Sequence, residues 1–451
     1  MSAPGPAEAP ASPAPLYSQA YLRYALGLLC VVYIINFVDR QILSILLQSI
    51  KRDLGLADWQ LGLLSGTAFG IFYATLGIPI ARVADRTSRK GVIGVCLVIW
   101  SGMTALCGTA GGFASLLLYR VGVGVGEAGG SPPAHSMISD YFPPERRATA
   151  LAIFSLGVPL GILVGFMLGG WLDQTVGWRN AFLVVGVPGI ALALLVAVTL
   201  REPPRGHSEG LESSGDAPSA REVIQFLLMS RSFRHLSIGA GLYAFVGYSA
   251  VTWSPSFLIR AHDMSPADVG MSLALIIGIG GGIGNFLGGV FADRWSVSNP
   301  RGRMYVPAIA MFSSVVFAPL YLVQDTGLAL TLFCIPAFLG LMYQAPCFAV
   351  TQFLATPKMR ATAAAALLFV INIIGLGLGP LATGALSDAL EPRFGDDSLS
   401  YALLGVHLVY LWSGIHFWLA SRTLPEDLTA VGRAAQREAR GEPTLLPDGT
   451  R

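Results

Sequence analysis

The sequence predicts an all-α polytopic membrane protein, with twelve transmembrane helices in two pseudo-symmetric six-helix bundles. Three observations carry this prediction. Of 451 residues, 53% are apolar and only 12% charged, about half the charge usual in soluble domains. The apolar residues gather into runs of the roughly 20 residues an α-helix needs to cross a bilayer. The chain also repeats itself at the scale of six such runs. A soluble enzyme, a disordered chain and a collagen-like rod all fit poorly, and a net charge of +2 gives no field suited to nucleic acid. Cys30, Cys96, Cys107, Cys334 and Cys347 lie singly within apolar runs, so no disulfide framework, metal site or cofactor is expected.

Taken in order, the first run is centred near residue 36. It is long and contains Asp39 and Arg40, so it reads as a span and not as a cleaved leader. Runs near 70, 101, 126, 159 and 190 complete an N-terminal bundle over 21–200. Residues 201–232 are polar and rich in Pro, Gly and Ser, the composition of a linker. Runs near 246, 279, 313, 341, 375 and 410 make the C-terminal bundle over 233–424. Residues 1–20 and 425–451 hold too little apolar material to fold alone, and are expected to be a disordered N-terminal segment and a cytoplasmic tail. Glycine and proline recur inside the runs, as membrane helices allow because small residues serve their packing.

Orientation follows from lysine and arginine, which resist translocation. With both termini cytoplasmic, the outer loops hold only Lys51, Arg52, Arg179, Arg260 and Arg393, Arg40 and Arg120 lie inside spans, and the other 22 of the 29 basic residues fall on the cytoplasmic side. The expected location is the inner (plasma) membrane.

The internal repeat is specific. Gly62, Gly70 and Ala84-Asp85-Arg86 recur as Gly270, Gly278 and Ala292-Asp293-Arg294 at one constant offset, and Pro144 with Arg147-Ala148-Thr149-Ala150 recurs as Pro357 with Arg360-Ala361-Thr362-Ala363. A duplicated six-helix unit places a substrate between its halves near the membrane centre, where rocking exposes it to each side in turn. That architecture favours a transporter over an enzyme or a channel. No HExxH, GxSxG or phosphate-loop pattern is present, so a membrane enzyme has little support.

With these features the chain resembles the major facilitator superfamily across essentially every span. The marker is the loop between helices 2 and 3, here Ala81-Arg82-Val83-Ala84-Asp85-Arg86-Thr87-Ser88-Arg89-Lys90, with Ala81 and Ser88 where the superfamily usually has glycine. The second copy keeps Gly289 and Asp293 but loses the trailing basic pair. An aspartate at a helix end is attracted to the positive N-terminus of a helix in the other half. Asp85 is therefore expected to latch the outward-facing state, with Arg86, Arg89 and Asp293 as supporting residues.

Four charges lie well inside spans: Asp39 and Arg40 in helix 1, Arg120 and Glu127 in helix 4. Each costs about 2.5–3.5 kcal/mol even on lenient insertion scales, so mutual pairing is expected, with Asp39 and Arg120 at similar depth and able to meet. Tyr33, Asn36, Arg40 and Ser44 form a polar stripe on helix 1. The face of helix 4 carrying Arg120, Gly124 and Glu127 continues to Ser131. The second half offers Tyr243, Tyr248, Trp253, Asn285, Tyr343, Gln344 and Asn372 amid Phe and Met. One wall is charged and the other mostly apolar, which suits a small amphiphilic or anionic substrate. Arg40, Arg120, Asn36, Tyr33, Ser131, Tyr243 and Trp253 are the expected substrate-binding residues, and Glu127 and Asp39 the expected proton carriers.

Asn36-Phe37-Val38-Asp39-Arg40, with Arg120, Gly124-Val125-Gly126-Glu127-Ala128 and Pro133, is similar to the spinster subfamily, in a prokaryotic-type member. That resemblance implies lysophospholipid or sphingosine-1-phosphate-like substrates, with Arg40 at the headgroup and the helix 4 pair in proton coupling. Organic-anion symporters of the same superfamily share an Asp-Arg pair in helix 1 and an Arg-Gly-Glu pattern in helix 4, and are the alternative. The expected partners are substrate, protons and membrane lipid, without nucleic acid, around a monomer.

Overall fold

The computed structural model describes residues 16–205, 219–356 and 359–439. Pro357 of the second repeat lies outside the described residues, as do 1–15, 206–218 and 440–451 of the expected terminal segments and linker.

Among the described residues, nine helical segments are long and apolar enough to cross a membrane. Two of them hold two crossings each. Glu145–Thr199 turns back at Gly177, whose φ of 78° and ψ of 162° no helix allows. Thr362–Ala434 turns at Gly395, with φ 55°. A further crossing, Phe113–Glu127 with Ser131–Tyr141, is interrupted at 128–130 and so is not one continuous helix. These account for the twelve spans read from the sequence.

The first span is Gln19–Leu54, capped by the Ser18 hydroxyl and ended by left-handed Gly55. Glycine suits that conformation because a Cβ would crowd the following carbonyl. The second is Asp58–Arg86 and the third Arg89–Cys107, the latter capped by Ser88. The seventh, Arg231–His262, is capped by Ser230, and the eighth, Pro266–Ser298, by Ser265. The eleventh runs through Arg360–Val370, Ile371–Leu378 and Gly379–Phe394, and the twelfth through Ser398–His407 and Val409–Ala439. Wider π-helical turns occupy Leu63–Thr67, Ala274–Gly280 and Ile371–Leu378, in spans 2, 8 and 11. Turns of that kind often mark functional positions.

The glycines of the repeat prove to be the seam between the two halves. A Cβ on Gly62 would stand 2.3 Å from the Pro380 carbonyl oxygen, and one on its counterpart Gly270 would stand 2.3 Å from that of Phe166. Span 2 thus lies backbone to backbone on span 11, and span 8 does the same on span 5. Gly66 on Leu376, Gly170 on Pro266 and Gly384 on Asp58 extend the contact. One large core joins both halves there, including Ile45, Leu61, Phe166, Trp253, Phe257 and Leu273. All of this sits on the side opposite the termini. On the terminal side the second core is built from the C-terminal half, and the third almost wholly from the N-terminal half. The halves are therefore joined at one end.

Candidate functional site

Arg40 and Glu127 form the centre of the site. The Arg40 Nε donates to Glu127 Oε2 at 2.6 Å, with the Glu127 side chain fully buried and that of Arg40 only 15% exposed. Three aromatic rings surround the guanidinium: Tyr73 at 4.4 Å from its carbon, Phe37 at 4.9 Å and Phe69 at 5.0 Å. Such rings stabilise a desolvated cation through their negative faces. Gly124 makes the arrangement possible, because a Cβ there would lie 2.7 Å from the Phe69 carbonyl oxygen. Span 2 can approach span 4 at this level only because the residue is glycine. Glu127 ends the first part of span 4 and the chain then turns through Ala128–Gly130, so the carboxylate sits at a helix interruption.

Asp39 and Arg120, expected to meet, do not bond to one another. Asp39 is fully buried, and its Oδ2 receives a long 3.4 Å hydrogen bond from the Thr104 hydroxyl on span 3, while Oδ1 has no partner. Arg120 points its Nε at the Leu64 carbonyl, 3.4 Å away, and leaves Nη1 without a partner. The physical reason is helical geometry. Adjacent residues diverge by about 100° around a helix, so Arg40 meets Glu127 of span 4 while Asp39 faces Thr104 of span 3. Arg120 still feels both Asp39 and Glu127 electrostatically, making a loose group of four charges with one tight bond. One oxygen of each carboxylate and one nitrogen of Arg120 stay unpartnered, a costly condition in a low dielectric.

The other expected residues divide. Asn36 is buried beside Glu127. Tyr33 is half-buried and stacks on Phe154 at 4.4 Å. Ser131 is half-buried at the start of the second part of span 4. Tyr243 lies in the opposite wall, its ring 3.8 Å from that of Tyr343. Trp253 is not in this group. It is fully buried in the seam, donating its indole N–H to the Pro380 carbonyl at 2.9 Å and packing against Gly384.

Of the motif residues, Asp85 is 71% exposed at its side chain and 4.0 Å from Arg205, just past the end of span 6. Arg86 and Asp293 are exposed. Arg89 behaves differently: it is buried and bonds Asp140, Ser136, Glu202 and the Pro203 carbonyl. It ties spans 3 and 4 to the end of span 6. Burial works against ionisation of Glu202, but hydrogen bonds from Arg89, the Lys90 amide and Ser88 outweigh it and hold this carboxyl below the usual glutamate range.

Sequence reasoning missed the lock at the far end of the seam. Asp58, at the N-terminus of span 2, is 1% exposed and accepts from Lys51, from the Ser387 hydroxyl and from both ends of the Arg260 guanidinium. Arg260 also reaches Gln48 at 2.7 Å. Asp388 caps the same helix start by accepting from the Asp58 and Trp59 amides at 3.0 and 2.7 Å, where the helix dipole favours a negative charge. These charges read as ordinary loop residues in a linear chain. The signal available was that Arg260, Lys51, Asp58 and Asp388 all fall on the poorly charged side.

Comparison with known proteins agrees with this architecture. The family model described as Major Facilitator Superfamily matches residues 29–380. A protein named MFS-type efflux pump, from Mycolicibacterium smegmatis, is 35% identical over 420 residues, covering 91% of this chain and 95% of that protein. Protein spinster of Drosophila melanogaster is 28% identical over 441 residues, 93% of this chain and 71% of that one. A bacterial homologue of the human lysosomal transporter spinster, solved in an inward-facing and unoccupied conformation, superposes with a TM-score of 0.83 at 31% identity, covering 91% of this chain and 99% of that structure. With the family model matching most of the chain and these relatives covering nine-tenths of it, the chain belongs to the Major Facilitator Superfamily, as a spinster-like integral membrane transporter.

Proposed function

We propose that the protein is a proton-coupled secondary transporter that moves a single-chain amphiphilic anion, a lysophospholipid or a sphingosine-1-phosphate-like lipid, by alternating access. Glu127 is the leading proton carrier and Asp39 the second. The observation that carries this reading is the Arg40–Glu127 bond, in which one carboxylate oxygen holds a desolvated guanidinium and the other has no partner. Ionised, Glu127 occupies Arg40. Protonated, it releases the guanidinium to a substrate anion. A buried charge stripped of its partner is costly by about 3–5 kcal/mol, so Arg40 takes either the carboxylate or the substrate, and this exclusion couples the two. Arg120 adds positive potential, Asn36, Tyr33 and Ser131 supply polar contacts for the headgroup, and Tyr243 begins the wall that receives the rest of the molecule. Trp253 is left out of the substrate set because it is sealed in the seam.

With both termini cytoplasmic in the plasma membrane, the joined end is the outer one and the state described is inward-facing. The inward-facing conformation of the similar bacterial spinster homologue supports that assignment. Asp85, with Arg86, Arg89 and Asp293, then latches the opposite state, in which the cytoplasmic ends meet. A single chain supplies both walls, so the monomer is the working unit.

A second reading, export or uptake of small organic anions or drugs, is favoured by the relative named an efflux pump. Reconstituted vesicles with an imposed pH gradient separate the two. We expect lysophosphatidate or sphingosine-1-phosphate to move with the gradient and citrate-sized acids neither to move nor to compete. Movement of the small acids alone would replace the lipid reading with the second.

A further inference from the structure

The C-terminal wall contains three tyrosines whose hydroxyls the fold does not use. Tyr243, Tyr343 and Tyr410 are each more than nine-tenths buried. Their rings pack together, with Tyr243 3.8 Å from Tyr343 and 5.8 Å from Tyr410. Each comes from a different span, and two stand at helix interruptions: Tyr343 between Thr326–Leu341 and Gln344–Phe353, and Tyr410 just past the break after His407. The Tyr243 and Tyr410 hydroxyls converge on Gly340, lying 3.5 and 3.6 Å from where its Cβ would be. A side chain at that position would fill the space they share. None of the hydrogen bonds found among the described residues uses these three hydroxyls. His407 stands behind them, its ring 4.9 Å from Tyr410. Because a carbonyl can only accept, the 2.9 Å contact between His407 Nε2 and the Ser314 oxygen fixes the ring N–H on Nε2, leaving Nδ1 buried and unpartnered.

The group is connected to the charged wall. Tyr248 lies near Arg40 and Tyr73 on one side and near Tyr343 and Tyr243 on the other. A path lined by phenol groups therefore runs from the guanidinium into the C-terminal half.

A polar group left without a partner after water is expelled costs about 1–3 kcal/mol. Plain hydrocarbon laid over these hydroxyls would incur that cost three times. A substrate with a hydroxyl or ester carbonyl at this place would satisfy them, and sites built to hydrogen-bond a substrate reject analogues that lack the group. We propose that Tyr243, Tyr343 and Tyr410 form a second, uncharged recognition site for the hydroxyl- and ester-bearing linker of a lipid whose phosphate is held at Arg40. The charged wall then selects the acid and the tyrosine wall selects the linker. The inference rests on the anionic-lipid reading above and narrows it to lipids with a polar linker.

The test compares two ligands of matched chain length on the purified full chain in nanodiscs, each below its micellar concentration: a lysophosphatidate, and an alkyl phosphate that lacks the hydroxyl and the ester. We expect lysophosphatidate to bind several-fold tighter. Tyr243→Phe, Tyr343→Phe and Tyr410→Phe, which keep the rings and the packing, should each weaken lysophosphatidate about threefold to tenfold more than alkyl phosphate, and the triple variant should erase the preference. Equal binding of the two ligands to the unaltered protein, or a Phe series that weakens both alike, overturns the inference while leaving the anionic-lipid reading standing. Failure of lysophosphatidate to bind, or binding of it that is indifferent to Arg40→Ala, overturns that underlying reading, and this inference with it.

Discussion

Arg260 grips Asp58 with both ends of its guanidinium, at 2.7 and 2.8 Å, and so joins the end of the seventh span to the beginning of the second. The two carboxylates at that corner divide the work. Asp58 is a hub for side chains from both halves, and Asp388 crosses the seam to cap the helix that Asp58 begins. Opening this end of the molecule requires the contacts that cross the seam, from Arg260, Ser387 and Asp388, to break.

Arg260→Ala is accordingly expected to destabilise the closed end by about 3 kcal/mol, the usual scale for removing one member of a buried pair. Pulsed electron-spin distances between labels placed on either side of the seam at this end should lengthen in the variant. An unchanged distance distribution would show that glycine packing alone holds the end shut.

The packing makes its own prediction. Gly62→Ala and Gly270→Ala each drive a methyl group into a carbonyl of the other half, an overpacking cost of about 1–3 kcal/mol. Both variants should melt at lower temperature and move the same spin distances in the same direction, because the two positions are related by the repeat. Gly27→Ala serves as the control, since a Cβ there meets nothing within 4 Å.

Arg40→Lys keeps the charge but loses the planar group that lies among Phe37, Phe69 and Tyr73 and the Nε that meets Glu127. Lysine is a compact, strongly hydrated charge that does not stack as a guanidinium does. Substrate affinity should fall about tenfold or more, as read by equilibrium binding, with the expression level retained. Full affinity in the lysine variant would mean that charge alone suffices.

Glu202 predicts an acid sensitivity. Its carboxyl ionises below the usual glutamate range because Arg89, the Lys90 amide and Ser88 stabilise the charged form against the opposing effect of burial. A group with a depressed folded value adds stability above its unfolded value and loses it as pH falls through the folded one. The stability this residue adds should therefore be fully present and independent of pH near neutrality, and the melting temperature should decline below about pH 4 as that stability is lost. In Glu202→Gln that part of the decline should be missing. Identical acid profiles in the two proteins would remove Glu202 from the account.

Much of this was legible in the linear chain, for physical reasons. A charge inside a twenty-residue apolar run needs a compensating structure, so Asp39, Arg40, Arg120 and Glu127 announced themselves. Repeated glycines at equal spacing announced two like halves, although nothing in the spacing revealed that Gly62 and Gly270 are where the halves touch. Which acid meets which base was not legible. Asp39 and Arg40 are neighbours in sequence, yet the turn of the helix sends one to Thr104 and the other to Glu127, and that choice depends on a rotation the chain does not encode locally. The lock at Asp58 was hidden for a similar reason, since its members come from four separate segments and each reads alone as a loop charge. Trp253 read as part of the mostly apolar wall of the second half, and its place in the seam depends on Gly384, far away in sequence.

Coupling at this site depends on Glu127 taking up a proton before Arg40 can bind the substrate anion. Its most direct test is interior pH, reported by a trapped dye, in vesicles containing the protein and no imposed gradient, after substrate is added outside. The account predicts a pH change that follows substrate uptake in the unaltered protein and is absent in Glu127→Gln. An equal pH change in Glu127→Gln would contradict it.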